Sequence, residues 1–111
     1  MSPSLWQQGV ELFNAGEYWE AHEAWEPLWL NAKGTDKHFH GGIILLAAAL
    51  HKARQMKSER GGRRNYAKAL VHLANVPDDY LDVEVRKLEL CVHEALLEPQ
   101  LSPQIAEKVT P

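Results

Sequence analysis

The sequence is poor in cysteine, with Cys91 as the single example among 111 residues. One cysteine permits no intrachain disulfide and offers no cluster of thiolates for a structural zinc ion. This usage favours a reducing, cytoplasmic setting in which Cys91 is a free thiol of the core. A domain held together by disulfides or structural zinc is therefore not expected.

Long apolar runs are also missing. The longest charge-free run, GGIILLAAAL at residues 41–50, has about half the length that a membrane-spanning helix needs. The first twenty residues show no basic start followed by an apolar block, as a secretory signal would. We therefore expect neither membrane insertion nor secretion.

The charge of the chain is small in sum, −3 at pH 7, but unevenly distributed. Seven of the twelve basic residues lie in the segment 52–68. Cations of this kind can contact phosphates without reading bases. The segment has only Tyr66 as an aromatic residue and contains no recognised nucleic-acid motif, so a solvated loop is the preferred interpretation and nucleic-acid binding is disfavoured.

Helical periodicity dominates the first half of the chain, and no segment alternates as a strand does. Ser2 and Pro3 predict the start of a first helix that Gly16 ends. A second helix is expected over about 17–32. A kink or break is expected at Pro27, because proline cannot donate a hydrogen bond to the carbonyl four residues earlier.

A third helix, near 36–57, is predicted to be the centre of the domain. Thr35 and Asp36 are candidates to cap its start. Its middle is apolar on nearly all faces, as expected for a buried helix. Small residues there would allow neighbouring helices to approach closely.

The second half of the chain continues the helical pattern. The segment KSERGGRR at 57–64 predicts a turn containing a double glycine. A fourth helix follows and is closed by Pro77, and a fifth ends before Pro99. The fold class is therefore all-α, a compact bundle of four to five helices in a single domain over 1–99. Residues 100–111 are predicted to be a loosely attached C-terminal tail.

The segment EYWEAHEAWEPLW, residues 17–29, concentrates aromatic rings and carboxylates on one helix. At 100° per residue, one face carries an aromatic stripe that includes a histidine: Tyr18, His22, Trp25 and Trp29. A further tryptophan and three glutamates occupy the neighbouring faces: Trp19, Glu20, Glu23 and Glu26. In the structural interpretation the rings form core, the glutamates accept hydrogen bonds from indole N–H groups, and Glu26 orients His22.

The functional interpretation requires a cleft in which His22, Glu23 and Glu26 meet polar groups of another helix. A histidine beside desolvated carboxylates can act as an acid or base near neutral pH, and the same groups can hold a divalent metal. The helical spacings of di-iron bundles and zinc proteases are both absent. No cofactor is therefore expected, although a divalent metal stays an alternative, with the ligands His22, Glu23, Glu26 and His51.

Two stretches, FNAGEYWEAHEAWEPLWL and FHGGIILLAAALHK, resemble the bacterial and archaeal family called domain of unknown function 309. The resemblance covers residues 13 to about 74. It implies an all-α, up-and-down bundle with a left-handed twist, and it implies no activity. The signature positions in this chain are Glu17, Glu20, His22, Glu23, Glu26, Trp29, Phe39, Gly42 and His51.

Two positions depart from the pattern of that family. Members usually have glutamine where this chain has Gly41 and Leu45. If those amides orient a ligand in the bundle, this protein has lost part of that function or binds something less polar.

We predict a small cytoplasmic binding or self-association module rather than an enzyme. Its partner would be an unknown protein, a small molecule or a second copy of the chain, and a partly exposed Trp19 or Trp29 would supply an apolar patch. The alternatives are a metal-dependent, hydrolase-like enzyme and, third, weak nucleic-acid binding through 52–68. The candidate site residues are Tyr18, Glu20, His22, Glu23, Trp25, Glu26, Trp29 and His51.

Overall fold

A computed structural model describes residues 3–106 of the chain, and this range contains five helices joined by short connections. A two-stranded antiparallel hairpin lies between the fourth and fifth helices and pairs Asp79 with Glu84. The predicted all-α class is confirmed, with this small hairpin as an addition that the periodicity did not reveal. The elements are α1 (Leu5–Asn14), α2 (Tyr18–Asn31), α3 (Gly34–Arg54), α4 (Glu59–Leu73), β1 (Asp79–Tyr80), β2 (Val83–Glu84) and α5 (Val85–Leu97).

Helix α1 begins after a capping box at Ser4. The Ser4 hydroxyl accepts a hydrogen bond from the Gln7 N–H at 3.1 Å, and the Gln7 side chain accepts one from the Ser4 N–H at 3.2 Å. Two backbone donors at the helix start are satisfied in this way. The predicted start at Ser2 lies outside the described residues. Gly16, with a φ of 81°, follows the helix end as predicted.

Helix α2 runs without a break through Pro27, so of the kink or break expected there the break does not occur. Proline removes one hydrogen bond of the helical ladder, but packing on both sides of it compensates for this loss. Trp25 precedes it in the core, and Leu28 and Trp29 pack against the core after it. The Asn31 amide donates to the Pro27 carbonyl at 2.8 Å in the last turn.

Helix α3 is the central helix, as predicted, and packs against α2, α4 and α5. It begins at Gly34, and its flanking residue Lys33 makes no side-chain cap. Thr35 and Asp36 therefore lie in the first turn rather than at the cap. In the first turn, the negative charge of Asp36 interacts favourably with the positive end of the helix dipole. None of the helices within residues 3–106 has both the length and the apolar content to cross a bilayer.

Helix α4 begins at Glu59, so the predicted turn over 57–64 is wrong for most of its length. Ser58 caps the helix and accepts a hydrogen bond from the Gly61 N–H at 3.0 Å. The next glycine, Gly62, faces α3, where an added Cβ would lie 3.0 Å from the Ala49 carbonyl oxygen. One member of the double glycine thus permits close helix packing.

Residues 103–105 lie within the segment that was predicted to be loosely attached, but they contact the end of α1. Pro103 and Ile105 are buried. The Asn14 side chain exchanges two hydrogen bonds with the Ile105 backbone, at 2.8 and 2.9 Å. The described part of the tail is therefore tied to the bundle, while residues 107–111 of the predicted tail lie outside the described range.

Gly42 of α3 lies directly against a side chain of α4. A Cβ added there would lie 2.4 Å from the Cγ atom of Leu73, which is fully buried. At the neighbouring Gly41 the nearest atom would be Nε1 of Trp29, at 3.1 Å, and that ring is only partly buried. The two glycines therefore differ in how far their surroundings can give way.

We expect Gly42→Ala to lower the free energy of unfolding by about 1–3 kcal/mol, because Leu73 has no space into which it can move. Gly41→Ala is the matched control and should change stability by less than about 1 kcal/mol, since alanine also favours the helix. Urea unfolding followed by circular dichroism measures both. Equal losses in the two variants would contradict this packing.

His40 gives the fold a pH dependence. Its ring lies against Trp6 and Phe39, and its Nδ1 atom is buried without a hydrogen-bond partner in the described residues. Burial lowers the pKa of His40 below the ordinary 6.5, and the Asp36 carboxylate offsets part of this shift. The native state thus binds this proton less readily than the unfolded chain does.

Stability should therefore fall as the pH drops through 6.5, because the unfolded chain is protonated first. His40→Gln removes this contribution, so the variant should lose less stability than the wild type between neutral and mildly acidic pH. Urea unfolding of both proteins above and below pH 6.5 tests the expectation. Parallel losses in the two proteins would show that His40 is not responsible.

Candidate functional site

One side of α2 is fixed in the core by Trp25. This side chain is 0% exposed, its ring stacks on Trp6 at 5.2 Å, and its Nε1 donates a hydrogen bond to the Trp6 carbonyl at 3.1 Å. The ring fills the space above Gly9 of α1, where an added Cβ would lie 1.9 Å from Nε1. Trp25 is therefore a core residue, as the structural interpretation of the segment predicted.

Tyr18 belongs to the same buried side. Its ring meets Phe13 edge-on at 5.3 Å, and its hydroxyl accepts a hydrogen bond from Arg54 at 3.4 Å. Burial raises the pKa of Tyr18, and the Arg54 guanidinium offsets part of this rise. Arg54 also donates to the carbonyls of Ala95 and Leu101, so the pair joins α2, α3 and the C-terminal part of the bundle.

The other side of α2 borders a cleft between three helices. The cleft has a volume of about 330 Å³ and lies between α2, the first half of α3 and the end of α4. Two residues that the sequence placed in an aromatic stripe, His22 and Trp29, line it together with Glu26. The full lining consists of His22, Glu26, Trp29, Gly41, Ile44, Leu45 and His72.

Gly41 and Leu45, the two positions at which the resemblance implies glutamine in other members, both line this cleft. Gly41 lets the Trp29 ring lie close to α3, since an added Cβ would lie only 3.1 Å from Nε1 of Trp29 and 3.7 Å from Nδ1 of His72. Leu45 contributes a half-buried aliphatic side chain. With glycine and leucine in place of glutamine, the walls of this cleft are therefore less polar.

His22 lies where the cleft meets an exposed aromatic surface. Its ring stacks on Trp19 with centroids 4.8 Å apart and planes 11° apart. Its Nδ1 atom is buried and has no hydrogen-bond partner within the described chain, so the predicted contact with Glu26 does not satisfy this atom.

His51 reaches this region through Trp19 and does not line the cleft. The two rings lie 5.2 Å apart, and the Nδ1 atom of His51 is hydrogen-bonded to the Gln55 side chain. Trp19 is thus in contact with both histidines and remains 43% exposed. His51 is close to His22 only by way of this ring.

The remaining candidates do not converge on the cleft. Glu20 and Glu23 are exposed, and neither borders it. In the range 3–106, no three or more His, Cys, Asp or Glu side chains come close enough together to hold a metal ion. The ligand set considered from sequence, His22, Glu23, Glu26 and His51, is therefore not assembled.

His72 is a cleft residue that the sequence did not single out. Its Nδ1 atom lies 3.4 Å from Nδ1 of His38, so one ring donates and the other accepts when both are neutral. The two histidines are on different helices, and no spacing along the chain signals their contact. Lys37 joins the same edge, with its ammonium 4.4 Å from the centroid of the Trp29 ring.

A larger hollow, of about 680 Å³, lies elsewhere, between the hairpin, α5 and residues 104–106. Its border includes Cys91 and several carboxylates but none of the candidate site residues. Volume alone does not define a site, and no residue of the aromatic and carboxylate segment 17–29 borders this hollow. We therefore regard the smaller cleft beside His22 as the candidate site.

Comparison with known proteins supports the family resemblance, three of whose signature residues line this cleft. The profile of the domain of unknown function DUF309 matches residues 6–65. An uncharacterized protein from Aquifex aeolicus (strain VF5) is 30% identical over 94 residues, which are 83% of this chain and 28% of that protein. The chain thus spans little more than a quarter of the length of this relative.

The fold has a solved counterpart. A conserved hypothetical protein from Thermus thermophilus is 38% identical in sequence and superposes with a TM-score of 0.75. The match covers 86% of this chain and 98% of that protein. Together these matches show that the chain belongs to the DUF309 family, whose function is unknown.

The two sides of α2 should respond differently to truncation. We expect Trp25→Ala to lower the free energy of unfolding by about 3–5 kcal/mol, because it empties a closed site. Trp19→Ala should cost only about 1 kcal/mol, since that ring is partly solvated already. Urea unfolding of both variants measures the difference, and similar losses would contradict the assignment of Trp19 to the surface.

Proposed function

We propose that this protein is a non-catalytic binding module that holds a small, largely apolar ligand in the cleft beside His22. The observation that carries this proposal is a coincidence of position. The two places where the chain departs from the family pattern, Gly41 and Leu45, line the same cleft as the signature residues His22, Glu26 and Trp29. Variation in the walls of a common cleft is expected where relatives bind ligands of different polarity.

The chemistry of the walls favours a flat ligand with one polar group. Ile44, Leu45 and the Trp29 ring supply apolar contact, and the cleft volume is at the lower end of the range for small-molecule sites. His22 lines the cleft as well, and its imidazole ring can form one hydrogen bond with a polar group of the ligand.

A metal-dependent enzyme finds no support in this geometry, since the described residues bring no metal-ligand set together. Self-association is the second candidate, because Trp19 and Leu30 of α2 are 43% and 59% exposed. A concave cleft, however, is better suited to binding a small molecule than to contact with the flat surface of a second chain. The oligomeric state in solution separates the two candidates.

Indole, a neutral two-ring compound, is a suitable probe of the cleft. We expect it to cause saturable chemical-shift changes in the backbone amides of Gly41 and Leu45 and in the indole N–H of Trp29. Leu45→Gln restores the polar group of the family pattern, and it should weaken binding at least about threefold, because burial of the amide costs free energy. Nuclear magnetic resonance titration of the wild type and the variant measures both effects.

Leu90→Gln is the matched control, since Leu90 is 56% exposed and belongs to α5, which does not line the cleft. It should leave the affinity for indole unchanged. Equal affinities of wild type and Leu45→Gln, or shifts confined to the surroundings of Trp19, would contradict the proposal. Sedimentation as a dimer that Trp19→Ala dissociates would favour self-association instead.

A further inference from the structure

A second concave surface lies at the opposite end of the α3–α4 pair. It is a groove of about 460 Å³ between the end of α3 and the first three turns of α4, and we call it the basic groove. Four of its lining side chains are cations and none is an acid. The lining residues are Lys52, Ser58, Arg60, Gly61, Arg64, Asn65 and Lys68.

Within the described residues 3–106, no ion pair joins a cation of the basic groove to an acidic side chain. Within residues 3–106 the ion pairs join Arg63 to Glu59, Arg86 to Glu89 and Lys87 to Glu84. None of the four groove cations takes part in these pairs. The contrast is clearest at Arg63 and Arg64, which are consecutive in α4, since Arg63 pairs with Glu59 and Arg64 faces the groove unpaired.

Three of these cations form a row along one face of α4. Arg60, Arg64 and Lys68 are spaced by four residues, which brings like charges next to each other and disfavours the helix. The row extends about 12 Å along the helix axis. Lys52 adds a fourth charge from α3, with its side chain close to Gly61. An anion bound in the groove would relieve this repulsion.

The start of α4 contributes further groups of the correct polarity. The Ser58 oxygen accepts the N–H of Gly61, so its own hydroxyl proton remains available to donate. The positive end of the helix dipole points toward the same end of the groove. Asn65 adds an amide that can donate as well. All these groups favour an anionic oxygen ligand.

We infer that the basic groove binds a ligand with two or more phosphate groups. A single phosphate would engage one end of the row, whereas linked phosphates can contact Arg60, Arg64 and Lys68 together. Such a ligand is either a soluble polyphosphate compound or the backbone of a nucleic-acid strand. The site is separate from the cleft, because Gly41 lies near His72 at one end of the helix pair and Lys52 lies near Gly61 at the other.

The test uses inorganic triphosphate and an oligothymidylate as probes, in isothermal titration calorimetry with the full chain at about 50 mM salt. We expect the Arg60→Gln/Arg64→Gln double variant to bind at least about tenfold more weakly than the wild type. Arg63→Gln is the control on the same helix outside the groove lining. It removes one positive charge where the double variant removes two, and it should alter the affinity less than about twofold.

Two results would each support the inference and identify the source of the phosphates. Comparable affinity for both probes indicates a soluble polyphosphate compound, and at least about tenfold tighter binding of the oligothymidylate, with a steeper salt dependence, indicates a nucleic-acid strand. Absence of binding for both probes would overturn it. So would an Arg63→Gln variant that loses as much affinity as the double variant, because binding would then follow net charge and not the groove.

Discussion

The architecture depends on side chains that occupy the space above glycines. Trp25 fills the position where Gly9 would carry a Cβ, and Leu73 does the same at Gly42. These two contacts fix α2 against α1 and α4 against α3. The cleft is their consequence. Leu73 over Gly42 places His72 beside Gly41, and Trp25 in the core turns His22 and Trp29 toward the same space. Because protein interiors are closely packed, a methyl group at either glycine would force the facing side chain to move.

Helix α2 therefore has two roles, since some of its residues anchor it in the core and others line the cleft. Tyr18 and Trp25 anchor it, while His22, Glu26 and Trp29 line a solvent-accessible cleft. Aromatic residues at helical spacing usually belong to the hydrophobic core, as Trp25 does. The functional candidates are those aromatic and polar residues of the helix that the core does not absorb. This division accounts for the rings Tyr18, Trp25 and Trp29 and for Glu26, whereas Glu20 and Glu23 lie on the exposed surface.

The sequence predicted the helical class, the central position of α3 and the family, because apolar periodicity and the motif are local features of the chain. It also brought His22, Glu26 and Trp29 together as residues of one helix. Prediction from the sequence failed where the structure is determined by contacts between residues that are far apart in the chain. The double glycine at Gly61 and Gly62 indicated a turn, but Gly62 serves close packing of α4 on α3. The partnership of His38 with His72 joins two helices, and no pattern along the chain encodes it. The break expected at Pro27 does not occur, because packing on both sides holds α2 together.

The central claim is that the cleft between α2, α3 and α4 is the place where this protein binds its ligand. The most direct test is a crystal structure determined after soaking with indole. The account predicts electron density for the ring between Trp29 and Leu45, with its nitrogen within hydrogen-bonding distance of His22. Density only on the exposed face of Trp19, with an empty cleft, would contradict the account and would make that face the binding surface.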